Sequence, residues 1–348
     1  MKALKLREGI YWVGGIDWDL RNFHGYLTQR GSTYNAYLII DEKITLIDNV
    51  KSYLFEELIA RISDIIDPSQ IDILIQNHVE MDHSGGLPKT LELLPNATLY
   101  TNAAGIKGLK LHYKKDWNFA EIKSGDTLKL GKRSLTFLTT PMVHWPDNMV
   151  TYCPEEEILF SNDAFGQHIA SSERLARELP IGIVLEEAKK YYANIVLPYS
   201  KQVQKVLDAA APLSIKMICP SHGVIWTEEN IPLILKAYKD WAYNVSDGHN
   251  GLVIYDTMWK STQMIAVAIH ETFEKLGIRS KLLNLQTNHI SDIMTDIIEA
   301  RFIAVGSPTL NSSILPTVAA FIYYLKGLSP KDRIGLAFGS YGWGGQSI

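Results

Sequence analysis

At 348 residues, with 46% apolar and 21% charged side chains, the chain has an ordinary globular composition and the length for two cores rather than one. A formal charge of −4 excludes an overall basic field for nucleic acid or an anionic membrane surface, and no apolar run approaches the roughly 20 residues of a membrane span. Two cysteines, Cys153 and Cys219, are too few for a disulfide framework and no secretory signal opens the chain, so a reducing, cytoplasmic setting is expected.

The first elements read as strands followed by helices. Tyr34-Asn-Ala-Tyr-Leu-Ile-Ile-Asp and Ile44-Thr-Leu-Ile-Asp flank the polar turn Asp41-Glu42-Lys43, which predicts a hairpin. A helical pattern over 55–66 stops near Pro68, and a short apolar strand, Ile71-Asp-Ile-Leu-Ile, runs up to Asn77. A new helix starts at Gly85-Gly86-Leu87-Pro88, and further strands are predicted at 98–100, 134–139 and 158–160. Near residue 250 the character changes, with Ser246-Asp-Gly-His-Asn-Gly as a linker. Beyond it, strands at 252–255, 280–285, 302–306 and 334–338 alternate with helices at 262–276, 292–300 and 315–325. That alternation predicts a parallel sheet covered on both faces.

Chemistry concentrates first in Asn77-His78-Val79-Glu80-Met81-Asp82-His83-Ser84-Gly85-Gly86, where four potential metal ligands lie within six residues, immediately after a strand. In an extended loop, His78, Glu80 and Asp82 converge on one side and His83 reaches a neighbouring position. Three more candidates occupy similar loops: His144 in Thr140-Pro-Met-Val-His-Trp-Pro-Asp, Asp163 in Ser161-Asn-Asp-Ala-Phe-Gly, and His222 in Cys219-Pro-Ser-His-Gly. One such histidine is ordinarily structural; seven such residues in strand-end loops point to metal.

The spacing resembles the metallo-β-lactamase superfamily motif His-x-His-x-Asp-His with later His, Asp and His ligands. Glu80 replaces the second histidine, adds a hard anionic donor, and favours iron over a histidine-rich zinc pair. With Pro141-Met-Val-His-Trp-Pro-Asp and Asn162-Asp-Ala-Phe-Gly-Gln-His, this variant resembles the flavodiiron proteins. The resemblance implies one iron on His78, Glu80 and His144, another on Asp82, His83 and His222, and Asp163 as the bridge. His24, Trp145 and Tyr192 resemble residues around that pocket.

In the second part, Tyr255-Asp-Thr-Met-Trp-Lys-Ser-Thr262 joins a strand to a helix. Hydroxyls and backbone N–H groups at such a turn make a phosphate site, here Thr257, Met258, Trp259, Lys260, Ser261 and Thr262. Two later loops at the same sheet edge would flank a planar ring: Ser307, Pro308, Thr309 and Asn311 in one, Ser340, Tyr341, Gly342 and Trp343 in the other. The trio resembles flavodoxin and implies FMN; no Gly-x-Gly-x-x-Gly follows the first strand, which argues against a dinucleotide fold.

The expected fold is α/β, with a metallo-β-lactamase-like αββα sandwich over 1–248 and a flavodoxin-like doubly wound parallel sheet over 249–348. The latter stops before the fifth strand of its type, so weaker FMN affinity is expected. The resemblance implies an oxidoreductase that reduces dioxygen to water or nitric oxide to nitrous oxide with electrons from FMN. It also implies a head-to-tail homodimer, or a dimer of dimers, that brings the flavin of one subunit to the irons of another. No rubredoxin-like Cys-x-x-Cys pair is present, so an external donor such as rubredoxin or reduced deazaflavin coenzyme is expected. A zinc hydrolase with an accessory flavin module, and a flavin electron carrier with a structural metal domain, are the alternative readings.

Overall fold

The computed structural model describes residues 1–347. They form two compact units, one of residues 1–21, 28–188 and 201–236, the other of 22–27, 189–200 and 237 onward.

In the first unit, seven strands form one sheet in the order Leu4–Arg7, Ile10–Trp12, Tyr37–Ile39, Thr45–Ile47, Ile73–Ile75, Thr98–Thr101 and Phe119–Glu121. Six more form a second sheet: Thr127–Lys129, Ser134–Thr139, Met149–Cys153, Ile158–Asn162, Met217–Pro220 and Trp226–Thr227. Strand pleating sends alternate residues to opposite faces. Tyr37, Ile39, Ile47, Ile73 and Ile75 therefore pack with Phe137, Met149, Phe160 and Met217 between the sheets. Leu38, Leu46 and Leu74, one residue out of phase, join Leu58, Ile62, Leu87 and Leu109 in an outer layer supplied by helices Phe55–Ser63, Leu87–Leu93 and Ala103–Tyr113. The sheet is apolar on both faces because both faces are covered. This is the expected αββα sandwich.

The predicted hairpin forms between Tyr37–Ile39 and Thr45–Ile47, but the run from Tyr34 is not one strand. Ser32–Tyr34 pairs with Gly15–Asp17 instead. Asn35 sits at the break: its amide donates to the carbonyls of Pro220 and Gly223 at 2.8 and 3.0 Å, and its carbonyl oxygen accepts from the Trp12 indole. A side chain committed to a distant loop ends the strand. The predicted helix over 55–66 closes at Ser63, and several N-terminal strands of two to four residues escape a pattern search because they are too short to show periodicity.

The second unit has one parallel sheet in the order Arg279–Asn284, Asn250–Tyr255, Phe302–Pro308, Ile334–Ser340. The first strand in sequence lies inside the sheet, so the chain changes direction there, and a crevice opens at its carboxyl end. Helices Ser261–Lys275, Ile290–Ile297 and Pro316–Leu328 connect the strands, all within a few residues of the predicted spans. Val253, Tyr255, Ala266, Ala304 and Phe338 form its core. A Cβ at Gly306 would stand 2.2 Å from the Phe338 ring, so this strand pair requires glycine. Ile334–Ser340 occupies a sheet edge among the described residues, with Ile334 and Leu336 half exposed.

Candidate metal and flavin sites

Five of the seven metal-ligand candidates lie in loops at strand ends of the sandwich. His78 and Glu80 follow the strand Ile73–Ile75. Asp82 and His83 do not continue an extended loop; they lie on the single helical turn Met81–Ser84. Helical geometry points successive side chains about a quarter-turn or more apart, so they separate from His78 and face a second centre. His144 precedes Met149–Cys153, Asp163 follows Ile158–Asn162, and His222 follows Met217–Pro220.

The candidate ligand atoms fall into two groups that could each hold a metal ion, His78 with His144 and Asp163, and Asp82 with His83 and His222. Glu80 belongs to the first, with Oε2 3.4 Å from His78 Nε2 and 3.5 Å from His144 Nε2. Asp163 divides its oxygens between them. Oδ2 lies 3.2 Å from His144 Nε2 and 3.7 Å from His78 Nε2, whereas Oδ1 lies 3.0 Å from His83 Nε2 and 3.4 Å from His222 Nε2. All four imidazoles present Nε2 inward. The His222 tautomer is fixed, because its Nδ1 faces the Thr33 carbonyl at 2.9 Å and a carbonyl only accepts.

Three carboxylates in one nearly dry pocket are unfavourable without cations; each like-charge pair at 4 Å costs about 4 kcal/mol even at an effective dielectric of 20. Burial opposes ionisation of Asp82 and Asp163, but the adjacent imidazoles outweigh it and hold both below the usual carboxylate range. In return, the carboxylates overcome the effect of burial on His83 and raise it, and they push His222 up to about 10. The pocket concentrates positive charge wherever it is offered.

A supporting layer escaped sequence reading. Asp147 Oδ2 lies 2.8 Å from His78 Nδ1 and accepts from the Val79 N–H, also at 2.8 Å. Its position three residues after His144 was the only available signal. Asp48 accepts from both the backbone and side-chain amides of Asn77, and so fixes the strand end from which His78 departs. Beneath the ligands, Asn148 accepts from the Trp145 N–H and donates to Asn162, which donates to Ser221. This chain of amides and hydroxyl ties together the loops of His144, Asp163 and His222. Gln76 does the same for the first loop, donating to the carbonyls of His78 and His83.

The other pocket candidates are distributed differently. Trp145 packs edge-on against His78, with ring centroids 5.2 Å apart. His24 and Tyr192 fall in the second compact unit. Tyr192 is buried there against Tyr238 and Trp241, its hydroxyl 2.9 Å from Ser200 Oγ. His168 is buried with Nδ1 2.7 Å from Ser32 Oγ and its ring 4.8 Å from that of His222.

In the second unit, the three predicted flavin loops meet at the carboxyl edge of the sheet. Thr262 Oγ1 lies 2.8 Å from Ser340 Oγ, and the Thr309 N–H donates to the Ser340 carbonyl at 2.9 Å. Lys260 enters the helix Ser261–Lys275 in a left-handed conformation, and no side chain caps that helix. The Ser307 hydroxyl accepts from the Leu315 N–H and donates to the Pro308 carbonyl, holding its own loop. Pro308 ends the strand Phe302–Pro308. Trp259, Tyr341 and Trp343 are 88%, 63% and 98% exposed, so their rings are unused by the core.

Comparison with known proteins decides the family. A model of the "ODP family beta lactamase" matches residues 33–223, and a flavodoxin model matches 253–348. The chain is 46% identical to a nitric oxide reductase of Moorella thermoacetica, 43% to a rubredoxin-oxygen oxidoreductase of Megalodesulfovibrio gigas and 44% to a coenzyme F420H2 oxidase of Methanothermobacter marburgensis. Each alignment covers 99–100% of this chain and 87% of the relative. Among solved structures, rubredoxin oxygen:oxidoreductase from Desulfovibrio gigas superposes with a TM-score of 0.97 at 42% identity over 99% of this chain and 87% of that one. The flavodiiron protein from Giardia intestinalis gives 0.97 at 36% identity over 100% and 85%.

The chain belongs to the flavodiiron protein family. As a flavodiiron protein it is an oxidoreductase with FMN and a non-haem iron pair as cofactors. The residues fit both. Both carboxylate oxygens of Asp82 and of Asp163, and both ring nitrogens of His83, are buried without a hydrogen-bond partner, a costly arrangement that ligated metal relieves. In the flavin unit, Thr257 Oγ1 is likewise buried and without a partner, in the loop leading to the helix Ser261–Lys275, whose start no side chain caps and where a phosphate is favoured. No helix among the described residues is long and apolar enough to cross a membrane.

Proposed function

We propose that this flavodiiron protein reduces dioxygen to water, nitric oxide to nitrous oxide, or both, at a diiron centre supplied with electrons by FMN. One observation carries the reading: Asp163 turns one oxygen toward each of two histidine–carboxylate groups. His78, Glu80 and His144 would hold one iron, Asp82, His83 and His222 the other, and Asp163 would bridge them. The hard oxygen donors among these ligands suit iron rather than a histidine-rich zinc pair. FMN held in the second unit would supply electrons singly or in pairs, and irons held by these ligands would supply the place where the oxidant is reduced.

The chain's own contribution is orientation and access. Asp147 and the Thr33 carbonyl fix the rings of His78 and His222, so each Nε2 lone pair faces inward. Glu80 and His144 keep 13% and 12% side-chain exposure while the remaining ligands are sealed, so a small oxidant has one side from which to approach. Thr257, Met258, Trp259, Lys260, Ser261 and Thr262 would hold the FMN phosphate. Thr309, Asn311, Ser340, Tyr341, Gly342 and Trp343 would flank its ring, with Ser307 and Pro308 shaping the loop. Rubredoxin or a reduced deazaflavin coenzyme, partners named in relatives, would supply electrons from outside. A cytoplasmic head-to-tail homodimer, or a dimer of dimers, would place the flavin of one subunit beside the irons of another.

Metal analysis and turnover test this reading. Anaerobically purified protein should hold about two irons per chain, in keeping with its donor set, and should consume dioxygen or nitric oxide when its flavin is reduced. Asp163→Ala removes a ligand from both metals and should cost more iron than His144→Ala. A zinc pair from iron-replete expression would instead favour the hydrolase reading, and full iron and turnover in Asp163→Ala would overturn the bridge.

A further inference from the structure

Away from the metal and flavin residues, the first unit contains a cavity of about 670 Å3 whose wall includes Trp12, Arg7, Arg61, Arg174 and Arg177. Two guanidinium groups lie over the Trp12 ring, that of Arg61 at 4.9 Å from its centroid and that of Arg174 at 5.0 Å. They are provisioned differently. Arg61 is 2.8 Å from Glu57 Oε2 and donates to the Gly14 carbonyl. Arg174 is only 4% exposed, makes no ion pair among the described residues, and leaves Nε and Nη1 buried without a partner; its guanidinium makes one hydrogen bond, to the Ser171 carbonyl.

The nearby carboxylates are committed elsewhere. Glu178 Oε2 folds back to accept from the backbone N–H groups of Arg174 and Leu175, and Glu173 accepts from Ser171 and Ser172. Glu228 and Glu229 also line the cavity but form no ion pair with Arg174. Nor can the arginine easily withdraw. Its carbonyl accepts from the Ile225 N–H, the next residue forms a bridge with Ile225, and its guanidinium rests over the Trp12 ring. Burial lowers the Arg174 pKa to about 10, which still leaves it a cation at neutral pH. The carboxylates of Glu173 and Glu178 favour the cation from a distance but do not accept from its buried Nε and Nη1; such unpaired donors are unfavourable unless acceptors are provided, and a guanidinium matches the oxygens of carboxylates and phosphates.

We propose that this cavity binds a small oxyanion, a ligand with a phosphate or carboxylate head, whose oxygens take up the free N–H groups of Arg174. The site is separate from the iron and flavin ligands and adds a second binding function to the same unit.

Thermal unfolding of the chain loaded with iron and FMN tests this at constant ionic strength in chloride, inorganic phosphate or acetate. A bound anion should raise the midpoint by a few degrees over chloride. A rise with phosphate alone identifies a phosphate head, and one with acetate alone a carboxylate head. Arg174→Met, with the same iron and flavin content, should lose the rise, which separates this cavity from any anion effect at the cofactors. Should that variant not fold, Arg174→Lys, which keeps the charge but not the planar donors, should weaken phosphate or acetate binding severalfold in equilibrium dialysis. Equal midpoints in all three salts, or an equal rise with and without Arg174, would overturn the proposal.

Discussion

Asp147 illustrates how much of a metal site lies in residues that never touch the metal. Its carboxylate holds the His78 ring and the Val79 N–H with the same oxygen, and the Asn102 amide locks its own carbonyl at 2.6 Å. Asp147→Asn keeps the shape but removes the charge that makes His78 a stronger donor. Iron retention against a chelator should fall by about 10- to 100-fold, the usual cost of losing such a partner; unchanged retention would show that packing by Trp145 alone orients the ring. The two cysteines behave oppositely to the ligands. Both are free and buried in the core between the sheets, and burial pushes the Cys153 thiol up to about 12 and Cys219 higher still. Only the thiolate reacts, so neither should be alkylated in the native protein at neutral pH, and both should react at once in denaturant. Rapid native labelling would contradict their placement.

Among the elements, the strand pair Phe302–Pro308 and Ile334–Ser340 couples packing to the flavin loops. Register sets Gly306 opposite Phe338 and Pro308 opposite Ser340, so one contact in the core governs the spacing of two loops at the edge. A methyl group at Gly306 has no room beside the Phe338 ring. Gly306→Ala should destabilise the unit by about 1–3 kcal/mol through overpacking and weaken FMN binding as the loops separate, measured by denaturant unfolding and flavin titration. Tight FMN binding with unaltered stability would mean that Phe338 rotates away freely. In the sandwich, the corresponding device is polar. The amide chain through Asn148, Asn162 and Ser221 crosses between strands that lie far apart in sequence, and sequence periodicity contains no trace of it.

For the whole molecule, the proposed head-to-tail dimer makes a sharp demand on electron flow. One subunit would lose flavin through bulky acids at Ser261 and Thr262, and the other would lose iron through His78→Ala and His222→Ala. A mixed dimer of the two retains one facing flavin–iron pair and should keep roughly half of normal activity per dimer if the subunits are symmetric. An inactive mixed dimer whose parents are folded would refute transfer across the interface. Much of this protein was legible in one dimension. The parallel sheet of the second unit followed from strands and helices alternating at regular length, because both sheet faces must be covered and periodicity records that burial. The ligand candidates were visible too, because four metal-binding side chains within six residues rarely serve packing alone. The division of those ligands was decided only in three dimensions. The helical turn Met81–Ser84 carries Asp82 and His83 toward His222, while Asp163 arrives from another strand to stand between the groups. Asn35 broke a strand that its apolar neighbours predicted, and Asp147 became the partner of a histidine 69 positions away. Apolar periodicity is a local property that short windows reveal. Which polar atom satisfies which other depends on loops brought together by the finished core, and no window along the chain contains both partners.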